Sequence, residues 1–138
     1  MTTATRDNLL GWMLDEAIRM PETRHAILLS ADGLLIAHSK GIARDDADRY
    51  SAAMSALQSI TRNTSEFCSS GSVQWRQSVS EFDGGYVLLV GAGAGAYVAV
   101  SATEKVNLED LSFRLQELVQ RLGKELTSPP RQGAGSSA

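Results

Sequence analysis

The sequence predicts a three-layer α/β/α sandwich, in which a five-stranded antiparallel sheet lies between one long helix and two other helices. Two short apolar runs, residues 27–29 and 34–36, lie on either side of Asp32-Gly33, and this pattern is a strong hairpin signal. The runs are apolar at consecutive positions, so both faces of their strands should be covered. A helical repeat then extends from Arg44 to Phe67. These features together place helices on both faces of one sheet.

Composition limits the classes of function. The 138 residues suffice for one domain with a core, and a hydrophobic fraction of 43% with 21% charged residues is typical of globular proteins. The net charge of −3 argues against nucleic acid as a partner. A single cysteine, Cys68, excludes an internal disulfide and predicts a cytoplasmic location. No signal peptide and no apolar run of ~20 residues is found, which predicts no direct membrane insertion.

The predicted order of elements is helix, two strands, long helix, three strands and final helix. Residues 72–82 alternate between apolar and polar side chains, with Val73, Trp75 and Val79 on one side, as in a half-buried strand at the edge of a sheet. Two meanders joined by one helical crossover give the strand order 2-1-5-4-3. Asn107 should cap the final helix. We expect a domain over residues 1–127 and a disordered tail over 128–138.

The long helix carries two different faces. Tyr50, Met54, Leu57 and Phe67 form one apolar stripe, which should pack on the sheet. The rest of the helix is rich in small residues, which indicates either a surface for a partner or simply an exposed Ala/Ser-rich helix. The residues predicted to bind a partner are Asp48, Ser51, Ala52, Ser55, Ser59 and Arg62.

Signals for catalysis or cofactors are weak. Residues 91–96 resemble a dinucleotide-binding glycine loop, but the residues that follow read as a strand, so a hairpin turn is predicted and no cofactor is expected. His25, His38 and Cys68 lack the spacing of metal ligands. No strained nucleophile turn of the Gly-x-Ser-x-Gly type occurs, so no catalytic residue is assigned. Arg44 or Arg62 could serve as an arginine finger, although a solvated arginine is the favoured interpretation.

The sequence resembles the roadblock-type dynein light-chain domains. The resemblance is carried by residues 26–34, the Ala/Ser-rich helix after Gly41, and the turn Asp83-Gly84-Gly85-Tyr86. It implies a homodimer whose sheets join through the third strand, with the two long helices side by side. It also implies a non-enzymatic role, because family members scaffold or regulate Ras-like small GTPases or bind dynein intermediate chains.

The absence of flanking domains makes the chain similar to the bacterial members. Those partner small GTPases in polarity and signalling operons, in some cases beside a sensor-kinase-like protein, and partners could recruit the chain to a membrane. The unpaired edge of the third strand also predicts self-association. The predicted dimer interface is Ala56, Val73, Trp75, Gln77 and Val79. Two alternatives are a ligand-sensing domain of similar three-layer fold, which needs a cavity with convergent polar groups, and a nucleotide-binding enzyme using the Gly91–Gly95 loop.

Overall fold

The computed structural model describes residues 2–71 and 73–127, and the predicted tail of residues 128–138 lies outside that part. The elements that it forms, in chain order, are α1 (Thr2–Ala17), β1 (Thr23–Ser30), β2 (Leu35–His38), α2 (Arg44–Arg62), α3 (Ser65–Cys68), β3 (Gln77–Phe82), β4 (Gly85–Gly93), β5 (Ala96–Thr103) and α4 (Leu108–Thr127).

The strands form one sheet of order β2-β1-β5-β4-β3, and every neighbouring pair is antiparallel. The predicted strand order is therefore confirmed. Helix α2 packs against β1 and β2 on one face, whereas α1 and α4 pack on the other face and against each other. The predicted three-layer arrangement is confirmed as well, and β3 lies at a free edge of the sheet.

The central strands are buried on both faces. Leu28 and Leu29 are adjacent in β1, yet the first belongs to the core under α1 and α4 and the second to the smaller core under α2. Leu88 and Leu89 divide in the same way on β4. The consecutive apolar runs of the sequence therefore form strands that are covered on both faces, as predicted, because a strand between two helical layers has no polar face.

Helix α4 begins at the predicted cap. The Oδ1 atom of Asn107 accepts a hydrogen bond of 3.0 Å from the backbone N–H of Asp110, which satisfies one of the free donors of the first turn. One stripe of the helix is then buried against the sheet and α1. Its members are Leu111, Leu115, Leu118, Val119 and Leu122.

Helix α2 is shorter than predicted. It ends at Arg62, where the N–H of Asn63 turns back to the carbonyl of Ile60 at 3.1 Å. The one-turn helix α3 follows as a separate element. Phe67 lies in α3 and is 98% exposed, so the prediction that it continues the inward stripe of α2 is wrong. A helical repeat in the sequence does not reveal a break in the helix when the intervening residues are all polar.

Strand β3 also begins later than predicted, at Gln77, and residues 73–76 form no strand. Trp75 packs with the core on the α2 side. Val79 lines a cleft beside α4. The prediction that Trp75 and Val79 share one side is therefore wrong, since strict alternation holds only where the backbone stays extended.

The glycine-rich segment is a hairpin turn between β4 and β5. Gly93 pairs with Ala96, and both loop residues have positive φ, 53° at Ala94 and 72° at Gly95. Positive φ at both positions defines a type I′ turn, which matches the twist of antiparallel strands. The segment leads into a strand, so it lacks the helix N-terminus on which a dinucleotide pyrophosphate would lie.

Ala94 is poorly suited to this turn, because positive φ is unfavourable for alanine, whereas the short polar side chain of asparagine can hydrogen-bond locally in this conformation. We expect Ala94→Asn to raise the free energy of unfolding by about 0.5–1 kcal/mol, since Asn-Gly is a preferred type I′ pair. Urea unfolding followed by circular dichroism measures the change. Ala53→Asn is the control, because Ala53 is an exposed residue in the middle of α2, where asparagine should be destabilising. Equal shifts in both variants would contradict the turn assignment.

Candidate interaction surfaces

Helix α2 is buried along a stripe of small and polar residues. Ala47, Ser51 and Gln58 are its buried members. Met54 and Leu57 are half-buried and pack against the core under α2, as predicted, but Tyr50, also predicted to face the sheet, is 44% exposed. The predicted inward stripe is therefore wrong at Tyr50, and the centre of the buried face lies part of a turn away. Small side chains on the buried stripe let α2 lie close to β1 and β2, whereas the tyrosine ring is too large for that position.

The predicted partner residues fall into three environments. Asp48, Ala52 and Ser59 are exposed on α2. Ser51 is 0% exposed, so the prediction that its side chain faces outward is wrong. Ser55 and Arg62 make contacts within the chain, as described next. The structure thus brings only part of the predicted set together on one open surface.

Ser55 joins α2 to the hairpin turn between β1 and β2. Its hydroxyl donates a hydrogen bond of 2.5 Å to the carbonyl of Ala31. Gly33, with φ of +89°, lies so close that a Cβ there would be 3.5 Å from Cα of Ala52 and 3.6 Å from Cβ of Ser55. Small residues on α2 therefore let another stretch of backbone approach closely, and that stretch is the chain's own β1–β2 turn.

Arg62 is engaged with two aromatic rings. Its guanidinium carbon lies 5.9 Å from the centroid of Trp75 and 5.7 Å from that of Tyr97. The two rings are tilted against each other with centroids 5.9 Å apart. Cation–π attraction of this kind holds the segment before β3 against the end of α2. The contacts favour a structural role for Arg62 over that of an arginine finger.

The outermost surface of α2 is a strip of short and apolar side chains, of which only Ala56 was predicted to lie in an interface. Ala53, Ala56 and Ile60 are exposed, and Ile60 is 65% so. Arg49 borders the strip, forms an ion pair of 3.2 Å with Asp46 and donates a hydrogen bond of 3.2 Å to the Tyr50 hydroxyl. The hydrogen bond to Tyr50 is the main cause that raises the pKa of Arg49 above its ordinary value.

Ser51 provides a direct check of the corrected orientation. Its hydroxyl is buried and has no hydrogen-bond partner in residues 2–71 and 73–127. We expect Ser51→Ala to raise the free energy of unfolding by about 1 kcal/mol, because a buried unpaired hydroxyl is destabilising. Ser59→Ala, at an exposed position of the same helix, should change it by less than about 0.5 kcal/mol. Chemical denaturation of both variants tests this, and a loss of stability in Ser51→Ala would show that the hydroxyl has a partner.

The free edge of β3 is the second open surface. Val79 is 46% exposed, and Phe82 is also exposed. Gln77 is half-buried and its Oε1 accepts a hydrogen bond of 3.0 Å from the Ser112 hydroxyl of α4. Phe113, the next residue of α4, is exposed as well. Together with Val79 it lines the cleft between β3 and α4. Of the predicted interface residues, Val73, Val79 and Ala56 are exposed. The ring of Trp75 instead packs against Tyr97, and its Nε1–H donates a hydrogen bond to the Ser78 hydroxyl.

A groove of about 380 Å³ lies between the first half of α2 and the sheet. Its apolar walls include Ile27, Met54 and Val87. His25 lines one end, and its Nδ1 atom is buried with no partner among the described residues. The groove opens on the same face of the sheet as α2, toward β4.

The part of the chain that the structure describes gives no indication of a metal site or of a membrane-spanning helix. It contains no cluster of three His, Cys, Asp or Glu side chains suited to a metal ion. The Nδ1–H group of His38 donates a hydrogen bond of 2.8 Å to the carbonyl oxygen of Ser39, and Cys68 is an exposed free thiol. Across those residues, no helix combines the length and apolarity needed to cross a membrane.

Comparison with known proteins places this architecture in a family. The model of the Roadblock/LC7 domain matches residues 10–102. A crystal structure of a Roadblock/LC7 domain from Streptomyces avermitilis has 29% sequence identity and a TM-score of 0.79, and the match covers 86% of this chain and 98% of that one. A second crystal structure of a Roadblock/LC7 domain from the same organism has 30% identity and a TM-score of 0.66, and the match covers 81% of this chain and 96% of that one.

More distant structures share the fold. The gliding protein MglB from Thermus thermophilus has 15% identity and a TM-score of 0.76, with 87% of this chain and 90% of that one covered. No curated protein sequence matches the chain. The sheet order, the helix on one face with two on the other, and the match to residues 10–102 agree with one another. The chain belongs to the Roadblock/LC7 domain family.

Proposed function

We propose that this chain is a non-enzymatic, homodimeric regulator or scaffold that binds a Ras-like small GTPase in a bacterial signalling or polarity system. The observation that carries the proposal is the outer strip of α2, where Ala53, Ala56 and Ile60 are open to solvent. Neighbouring apolar side chains exposed on an outer helix are a feature of surfaces that bind another protein. Membership of the Roadblock/LC7 family supports the choice of partner, because roadblock-type domains include regulators of these GTPases.

The homodimer is supported by the edge of β3. Its backbone groups on the free side have no partner strand among the described residues, and Val79 and Phe82 are exposed along it. A second copy related by a two-fold axis would satisfy those groups and cover the apolar side chains. The same axis would double the α2 surface. We expect the dimer to bury more than about 1,000 Å² in total.

The GTPase would meet the exposed part of α2. Ala52, Ala53 and Ser59 give a shallow surface that protruding side chains of a partner can approach closely, and Asp48 and Arg49 supply charge at one end. Charges at the rim of an interface orient a partner and raise its association rate. Two copies of this surface near one axis should accept a single GTPase per dimer, because a second would collide with the first. A sensor-kinase-like protein is a further proposed partner, and membrane recruitment would follow through such partners.

The experiment begins with a search for a Ras-like GTPase gene beside the gene of this chain, and uses the purified product of that gene. Sedimentation velocity at micromolar concentration should give a dimer. Titration calorimetry with the GTP-bound GTPase should then give saturable binding with one GTPase per two chains. A monomer would overturn the homodimer, and absence of binding in both nucleotide states would overturn the choice of partner. GTP hydrolysis measured in the same samples separates activation from scaffolding.

The groove beneath α2 favours ligand sensing as a second candidate function. His25 contributes a buried unpartnered nitrogen to it, and Arg24, Asp46 and Ser101 add polar groups to the apolar lining. Such a mixture is usual in small-molecule sites. Native mass spectrometry of the protein purified from its own host distinguishes the candidates. A bound small molecule that His25→Ala releases would support sensing, whereas an unliganded dimer that binds the GTPase would support the first proposal.

A further inference from the structure

The inference concerns the chemical class of ligand that fits the groove between α2 and the sheet, and it rests on ligand sensing, the second function proposed above. Strand pairing defines the floor of the groove. His25 of β1 pairs with Ser101 of β5, and Ser101 pairs with Val87 of β4. Ile27 and Leu29, two and four residues further along β1, belong to the core under α2, so by alternation His25 and its paired residues lie on the same face.

A bulge in β1 adds a cation to this row of side chains. Thr23 pairs with Ala102 and His25 with Ser101, which leaves Arg24 as an extra residue without a partner on β5. An extra residue of this kind interrupts the alternation of side chains and changes the direction of its own. Arg24 accordingly lines the groove together with its neighbour His25, whereas a regular strand would direct two consecutive side chains to opposite faces.

Three polar groups of the groove have hydrogen-bonding capacity that the described residues leave unused. Nδ1 of His25 is buried without a partner. The Ser101 hydroxyl accepts a hydrogen bond of 3.2 Å from the backbone N–H of His25, and its own proton has no acceptor there. The guanidinium of Arg24 takes part in none of the ion pairs between described residues. All three groups can donate, since Nδ1 carries a proton in one neutral tautomer and in the histidine cation.

The other polar groups of the groove are already engaged. Asp46 forms its ion pair with Arg49, which also donates a hydrogen bond to the Tyr50 hydroxyl. The free groups are therefore donors, one of them cationic, and they favour an anionic group on the ligand. A carboxylate suits them, because its two oxygens accept several hydrogen bonds and those from a guanidinium are charge-assisted.

The rest of the lining determines the body of the ligand. Ile27, Ile42 and Met54 contribute apolar walls, and the volume of about 380 Å³ is within the range of small-molecule sites. An apolar wall next to a set of donors fits a molecule with an aliphatic chain and one acidic end. We propose that the groove binds a small aliphatic carboxylic acid, with its carboxylate at Arg24 and His25 and its chain between α2 and the sheet.

A series of acids tests the ligand class. In NMR titrations of the full chain, butanoate, hexanoate and octanoate should each bind saturably, with one molecule per chain. The affinity should rise about fourfold for each added methylene, because each buried methylene adds a similar increment of binding free energy. 1-Hexanol should bind about tenfold more weakly than hexanoate, since it lacks the charge-assisted hydrogen bonds. Equal binding of hexanol and hexanoate would refute recognition of the carboxylate.

A charge-removing variant tests the position of the carboxylate. Arg24→Gln should weaken hexanoate binding about tenfold and leave hexanol binding unchanged, because it removes a charge-assisted hydrogen bond and no apolar wall. Arg24 is exposed, so the variant should fold like the wild type. Arg121→Gln, the same change at an exposed position of α4, should bind hexanoate like the wild type. Equal losses in both variants would show a general attraction of anions to the surface and refute the assigned site.

The failure of this inference is distinguishable from the failure of ligand sensing. Absence of saturable binding by all three acids would overturn the proposed ligand class. If native mass spectrometry then finds another small molecule that His25→Ala releases, ligand sensing stands with a different ligand. If the protein purified from its own host is also unliganded, both the ligand class and the sensing function are refuted.

Discussion

Replacement of Gly85 by alanine will lower the free energy of unfolding by about 3 kcal/mol, which is the upper range for a side chain forced into a closely packed region. Gly85 is the first residue of β4 and pairs with Thr103 of β5. A Cβ at this position would lie 2.1 Å from the carbonyl oxygen of Ala102 and 3.1 Å from its carbonyl carbon. Both atoms belong to the backbone of the neighbouring strand, so the steric clash is removed only if β4 and β5 separate locally.

Gly84→Ala is the matched control, because the preceding glycine has no atom within 4 Å of its Cβ position. The two substitutions remove the same backbone freedom, and only one creates the contact. Urea unfolding of both variants at one protein concentration measures the difference, since the stability of a dimer depends on concentration. Equal losses would show that backbone freedom, and not the approach of β5, makes glycine necessary at position 85.

The second large effect is expected on the outer surface of α2. Ala52→Glu and Ser59→Arg should each weaken binding of the GTP-bound GTPase by about 100-fold or more, because a charge buried at the centre of an interface without a partner is strongly unfavourable. Both residues are exposed, so the fold and the dimer should be unchanged. Titration calorimetry measures the loss of binding, and sedimentation velocity confirms the dimer.

Gln120→Arg is the control, because Gln120 is exposed on α4, on the other face of the sheet from α2. It adds a charge to the protein surface without changing α2. It should bind the GTPase like the wild type. Ser55 is unsuited to this test, because its hydroxyl is bonded to Ala31 and a larger side chain would displace the β1–β2 turn. Unchanged affinity in both α2 variants would place the GTPase elsewhere on the molecule, and a monomeric variant would assign this surface to self-association.

Local sequence signals predicted the framework because each reflects chemistry within a few residues. Asp32-Gly33 predicted the first hairpin, Asn107 the cap of α4, and the glycines of residues 91–95 a turn in place of a cofactor loop. The strand order followed from short connections and one crossover. Consecutive apolar residues such as Leu28 and Leu29 predicted helices on both faces, because no polar side was left for solvent.

The rotation of α2 was decided only by the tertiary structure. Its sequence offers an apolar stripe through Tyr50 and a stripe of small residues through Ser51, and periodicity alone favours burial of the apolar one. Close packing on β1 and β2, with room for the β1–β2 turn beside Ser55, selects the small residues instead. The sequence by itself therefore determined the elements, their order and the existence of an open α2 surface. Which side chains form that surface depended on how closely a helix can approach a sheet, a property of two elements distant in the chain.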